Sequence, residues 1–148
     1  MKKVKFLIVL FVGVCNLVSC SNLRVKRLPP HPVESRLFAV EQLTPKNEKS
    51  LLAVQFLPDY WRWVQTDPLG SPIARLQLSQ NGWQNDGFVM PNSQAQRLFS
   101  AIATYLNPNN PPFELSESNK MWQITPHLNG ATITLNDQSR WSISEIKQ

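Results

Sequence analysis

From residue 35 onward the apolar segments of this chain keep a period of two, with one exception. In residues 51–57 Leu52, Val54 and Phe56 share a face; in residues 60–66 Trp61 and Trp63 do; in residues 73–79 Ala74, Leu76 and Leu78 do. Such alternation sends successive side chains to opposite faces, so these segments read as half-buried strands. Residues 35–43 have the same character, with Leu37, Ala39 and Glu41 set against Phe38, Val40 and Gln42. Residues 83–90 read as a short strand or an extended arm. Late strands follow at 121–125, 131–135 and 140–146, punctuated by Asn129-Gly130 and Asn136-Asp137. Between them the spacing changes: Ala95, Leu98, Phe99, Ile102, Tyr105 and Leu106 recur at helical intervals. Residues 91–93 supply an N-cap and Asn107-Pro108 a stop, so the spacing predicts one amphipathic helix over 93–106. One helix inserted among consecutive strands implies an α+β domain with an antiparallel sheet. Asp67-Pro68-Leu69-Gly70 joins two of the strands and matches a type I turn, with Asp first, Pro second and Gly fourth.

The N-terminal segment is of another kind. Lys2, Lys3 and Lys5 precede an apolar run over residues 6–14, which is the order of a secretory signal peptide. The run is far shorter than the roughly 20 residues that span a bilayer as a helix. It closes on Leu17-Val18-Ser19-Cys20, which resembles a bacterial lipobox. That resemblance implies cleavage before Cys20 and attachment of diacylglycerol to its thiol; the other reading is an ordinary signal peptide with a chance Cys. Ser21 rather than Asp after the Cys implies the outer membrane, facing the periplasm. Residues 1–19 are thus expected to be removed. Residues 20–33, with Pro29, Pro30 and Pro32, are expected to form a lipidated extended tether, and residues 34–148 a single domain. Loss of three lysines would lower the formal charge from +5 to +2, so the basicity is mostly a targeting device and a poor argument for nucleic acid. The one small basic patch, Arg24-Val25-Lys26-Arg27, lies where it would meet anionic head groups. Cys15 would leave and Cys20 become a thioether, which removes disulfides and thiol-based metal sites from consideration.

Catalytic patterns are sparse. The two histidines, His31 and His127, sit in no metal-ligand spacing, and no glycine-rich phosphate loop or nucleophile elbow occurs. The acids Asp59, Asp67, Asp86, Glu114, Glu117, Asp137 and Glu145 are scattered and read as solvated turn residues. The expectation is a protein without catalysis, cofactor or metal. Five tryptophans are more informative: Trp61, Trp63, Trp83, Trp122 and Trp141. Large aromatic side chains serve either to build a core or to line a concave face that holds an apolar ligand. On the second reading the lining comprises Phe56, Trp61, Trp63, Leu76, Leu98, Phe99 and Ile102.

The segment 52–106 resembles the outer-membrane lipoprotein-insertion receptors of the LolB type. The residues that carry this are Thr66-Asp67-Pro68-Leu69-Gly70-Ser71, between an aromatic-rich strand and an alternating one, followed by one amphipathic helix. The chain is also similar to small uncharacterised proteobacterial lipoproteins encoded near aryl-polyene pigment genes. That similarity rests on Asp67-Pro68-Leu69-Gly70-x-Pro72-x-Ala74-Arg75, Gly82-Trp83 and Asp86-Gly87-Phe88. The resemblance implies an incomplete, half-open antiparallel β-barrel with the helix as a lid. It also implies an exposed Leu69, held by Asp67, Pro68 and Gly70, that touches the membrane or a donor protein. The opposing reading folds Leu69 back onto the core. The domain is shorter than those receptors and has one helix where they have several lid elements, which suggests a reduced relative. The leading expectation is a monomeric, outer-membrane-anchored lipoprotein that binds an acyl or other apolar chain and assists localisation of lipoproteins, lipid or pigment. The alternative is a structural lipoprotein tethering an envelope complex.

Overall fold

A computed structural model describes residues 23–114 and 121–147. The lipobox with Cys20, and Glu117, lie outside the described residues. Eight strands form one sheet: β1 (Ser35–Thr44), β2 (Glu48–Phe56), β3 (Tyr60–Thr66), β4 (Pro72–Ser79), β5 (Gly82–Asn85), β6 (Trp122–His127), β7 (Gly130–Leu135) and β8 (Arg140–Ile146). The helix α1 (Ser93–Leu106) falls between β5 and β6 in the chain. Every neighbouring pair is antiparallel, in the order β5-β4-β3-β2-β1-β8-β7-β6. The terminal strands β5 and β6 do not pair with each other, so the sheet stays open.

The alternation puts the core where the apolar pattern requires. Phe38 and Val40 of β1, Leu52 and Val54 of β2, Trp61 and Trp63 of β3, and Ala74, Leu76 and Leu78 of β4 all turn to one face and are buried. Ala131, Ile133 and Leu135 of β7 and Trp141 and Ile143 of β8 complete that face. Against it lies the apolar stripe of α1, with Ala95, Leu98, Phe99 and Ile102 buried. The helix touches β6 and β7, and Trp83 of β5 donates its indole N–H to Ser100 of α1 at 2.9 Å. Both edges of the open sheet therefore meet α1. Edge strands invite unwanted pairing; here β5 is only four residues long and β6 carries Pro126.

The strands define two ends. At one stand the β1–β2, β3–β4 and β7–β8 connections and the start of α1. At the other stand the β2–β3, β4–β5 and β6–β7 connections. The segment expected to be a free tether is packed across this second end from Leu23 onward. Val25 is buried and forms a β-bridge to Phe113. Lys26 N–H donates to the Pro112 carbonyl at 2.7 Å, and the Gln80 amide donates to the Lys26 carbonyl at 3.1 Å. Leu23 and Leu28 pack on the core, and the His31 ring lies flat on Phe56 with centroids 3.7 Å apart. The prolines that looked like tether residues hold an extended strap whose apolar side chains reach core surface, so the domain begins before residue 34. These strap and core contacts run from Leu23 to Ile143, and a chain begun at Ser21 contains all of those residues.

Candidate functional site

The β3–β4 turn is held by one side chain. Asp67 Oδ1 accepts from the backbone N–H of both Leu69 and Ser71, each at 2.9 Å. Gly70 N–H donates to the Asp67 carbonyl at 3.0 Å, and Asp67 N–H to the Ser71 carbonyl at 2.9 Å. Gly70 has φ +90°, a conformation that favours glycine. Five residues are thus locked, and Leu69 at the apex is 93 % exposed. The turn points it outward, not back onto the core.

At the foot of this turn is a hollow of about 440 Å³, bounded by Gln42 of β1, Lys49 and Ser50 of β2, Gln65 of β3, Pro68, Ile73 of β4, Trp141 of β8, and Asn92, Gln94 and Ala95 where α1 begins. Its size falls within the range of small-molecule sites. The floor is polar: Gln65 donates to Ser50 Oγ at 2.8 Å, and Ser50 Oγ donates to the Val40 carbonyl at 3.4 Å. Asn92 is the N-cap of α1, its Oδ1 accepting from Ala95 N–H at 3.0 Å. Gln94 donates to Asp137 at 3.0 Å, which ties the helix to the β7–β8 turn. Burial pushes the Asp137 carboxyl upward, but hydrogen bonds from Ser139 and Gln94 and the charge of Arg97 outweigh it and hold it below its ordinary value. Next to Pro68 at its rim stands the exposed Leu69, and Met90 is another large, exposed hydrophobic residue. Met90 is two residues from Asn92, so it lies within about 7 Å of the hollow's rim by chain length alone.

The seven residues expected to line an apolar cavity between sheet and helix divide in two. Trp63, Leu76, Leu98, Phe99 and Ile102 are packed as core. Trp63 stacks on Phe99 with centroids 5.3 Å apart and meets Trp83 edge-on at 5.6 Å, so aromatic rings fill the space assigned to a ligand. Trp61, also in the core, and the partly buried Phe56 border a hollow of about 410 Å³ under the strap, at the end away from Leu69. The acids also differ from expectation. Asp86 is not a solvated turn residue: its side chain is 15 % exposed, lies 3.1 Å from Arg62 and 3.4 Å from Arg75, and accepts from Gln77 at 3.0 Å. The cluster pins the arm that follows β5 to the outer face of β3 and β4. Arg62, Arg75 and Gln77 alternate with core positions, which marks their face, but Asp86 itself carries no local signal.

Gln42, Ser50 and Gln65 match none of the sequence motifs above, yet they form the floor of the hollow. A signal existed: each stands at an inward position of a strand whose other inward residues are large and apolar. Among the described residues no group of three or more His, Cys, Asp or Glu is placed to hold a metal ion, and no helix is long and apolar enough to cross a membrane. No family model matches the chain, and neither a curated protein nor a solved structure is significantly similar to it.

Proposed function

We propose that this chain is an outer-membrane lipoprotein, acylated at Cys20, which engages acyl chains or acylated proteins through its Leu69 end and assists their localisation. The fold is read as a reduced relative of the LolB-type half-open barrel, with α1 as its lid. One observation carries the reading: a fully presented leucine on a turn locked by Asp67 and Gly70. Moving such a side chain from water to an apolar setting gains about 1.5–3 kcal/mol. That is too little to anchor a protein and enough to bias a transient encounter. Because Trp63 and Phe99 occupy the interior, the apolar partner is received at the end of the sheet and not stored inside it.

The test uses residues 21–148, with and without Leu69→Glu, and a fluorescent fatty acid. Leu69 touches nothing in the core, so both proteins are expected to melt within a few degrees of each other. Binding by the variant is expected to fall by about 10- to 100-fold, the affinity equivalent of the transfer gain. Equal binding by the two proteins would remove Leu69 from the mechanism. A second reading, a structural lipoprotein docking through its outer face, is favoured by a hollow of about 420 Å³ among Ala39, Leu51, Ser142 and Ser144. On that reading Leu69→Glu changes nothing and Ser142→Trp blocks the partner.

A further inference from the structure

Three adjacent strands change character at the same end. On β1 the inward row runs Phe38, Val40, Gln42; on β2 it runs Val54, Leu52, Ser50; on β3 it runs Trp61, Trp63, Gln65. In each the last inward residue before the Leu69 end is an amide or a hydroxyl. These residues are not at the surface: Gln42 is 6 % exposed, Ser50 8 % and Gln65 4 %. Burying such groups without partners is costly, and none of their polar atoms is sealed off without one, so those that open onto the hollow can bond what enters it. Gln65 and Ser50 satisfy each other in part, through one of the two amide hydrogens of Gln65. The Gln42 amide is not among the polar atoms buried without a partner and borders the hollow, so it opens onto that space.

We propose that this hollow binds the uncharged, hydroxyl-bearing head group of an amphiphile, with the amphiphile's apolar part lying along Leu69. The floor chooses the chemistry. Gln42 offers donors and an acceptor, Gln65 keeps its second amide hydrogen and its carbonyl, and Ser50, whose hydrogen goes to the Val40 carbonyl, adds an acceptor only; a hydroxyl can meet both kinds of group, whereas a phosphate or carboxylate would leave the acceptors facing an anion. No ionisable side chain stands on the floor. At the rim Glu48 and Lys49 oppose each other in sign, and the Asp67 carboxylate is engaged by its own turn. The rim supplies the other half of the match, since Leu69 and Ile73 present apolar surface beside the hollow. The assignment rests on the Leu69 end being the working end, and it names what that end receives.

The experiment is a titration of isotopically labelled residues 21–148 with octyl glucoside below its micelle concentration, followed by nuclear magnetic resonance. Octyl phosphocholine and octyl sulfate serve as charged-head controls. The expected result is a saturable shift of the Gln42 and Gln65 side-chain amide signals with the glucoside alone. Gln42→Leu is expected to weaken that binding at least tenfold, and Ser50→Ala to weaken it in the same direction should Gln42→Leu fold poorly. Shifts that do not saturate, or the same affinity for all three head groups, overturn the proposal. If Leu69→Glu abolishes fatty-acid binding while the amides never respond, the head-group site falls and the Leu69 reading stands. If the amides respond and Leu69→Glu is without effect, the head-group site stands and the Leu69 reading falls.

Discussion

His31 shows how one side chain can report on a whole segment. Its ring stacks on Phe56 at 3.7 Å and meets Trp61 edge-on at 5.8 Å, which pins the strap to the end of β2 and β3. Burial lowers its pKa, Arg36 lowers it further, and Glu145 opposes both. The folded protein thus disfavours the imidazolium relative to the unfolded chain, whose His titrates near 6.5. Above that pH both states are neutral and the strap interaction is complete. As pH falls below about 6.5 the unfolded chain takes up the proton first, and stability drops until the folded-state pKa is passed. Urea unfolding followed between pH 8 and 5 is expected to show this loss, and His31→Phe to reduce it. An unaltered slope in the variant would assign the effect elsewhere. Nothing in the sequence around His31 announces this role, since a His between prolines looks like a linker until Phe56, 25 residues away, is brought beneath it. The expected cavity lining was partly legible for a related reason. Alternation gives the face of Trp63 and Leu76, but whether that face encloses a void depends on how closely α1 approaches.

Secondary structure was the level at which sequence spoke most clearly. Period-two alternation located β3 at its observed bounds, and helical spacing located α1 at Ser93–Leu106, because both signals are local and repeated. The beginning of β2 was less legible: Glu48 and Lys49 extend it beyond the apolar run, held by pairing with Gln42 and Glu41 of β1. In the sequence Asn129-Gly130 reads as turn punctuation. Gly130 is instead the first residue of β7, and its lack of a side chain serves packing. A Cβ there would run into the Ile143 carbonyl of the neighbouring strand β8. Gly130→Ala must therefore shift the β7–β8 ladder, and the expected cost is at least the 1–3 kcal/mol typical of overpacking. Thermal unfolding is expected to show a clear fall in midpoint; no change would mean that the two strands part more easily than their pairing suggests. Gly70→Ala makes a useful contrast, because nothing lies near its Cβ and the penalty comes from φ alone.

On the scale of the whole molecule, the strap orients the domain. With acylation at Cys20, only Ser21 and Asn22 separate the lipidated residue from Leu23, a reach of at most about 11 Å over three steps of the chain. Leu23 and Lys26 belong to the end of the sheet that holds Gln80, with Arg24, Lys26 and Arg27 exposed there, where the proposed anchoring would bring them to anionic head groups. Leu69 stands at the opposite end, beyond the seven residues of β3, which span about 23 Å. If the chain is anchored as proposed, an upright domain turns Leu69 away from the anchoring leaflet and toward the periplasm. Of the two contacts open to that leucine, a donor is favoured over the anchoring membrane. A free 14-residue tether would have allowed both; a packed strap does not. The acylated mature chain would contain no free thiol, so Leu69→Cys and Lys26→Cys each create a single labelling site. In vesicles containing anionic lipid, an environment-sensitive dye at position 26 is expected to be quenched by a quencher placed in the lipid head groups. A dye at position 69 is expected to stay water-exposed until an acylated donor is added. Equal quenching at both positions would show the domain lying on its side, and Leu69 would then belong to the membrane after all.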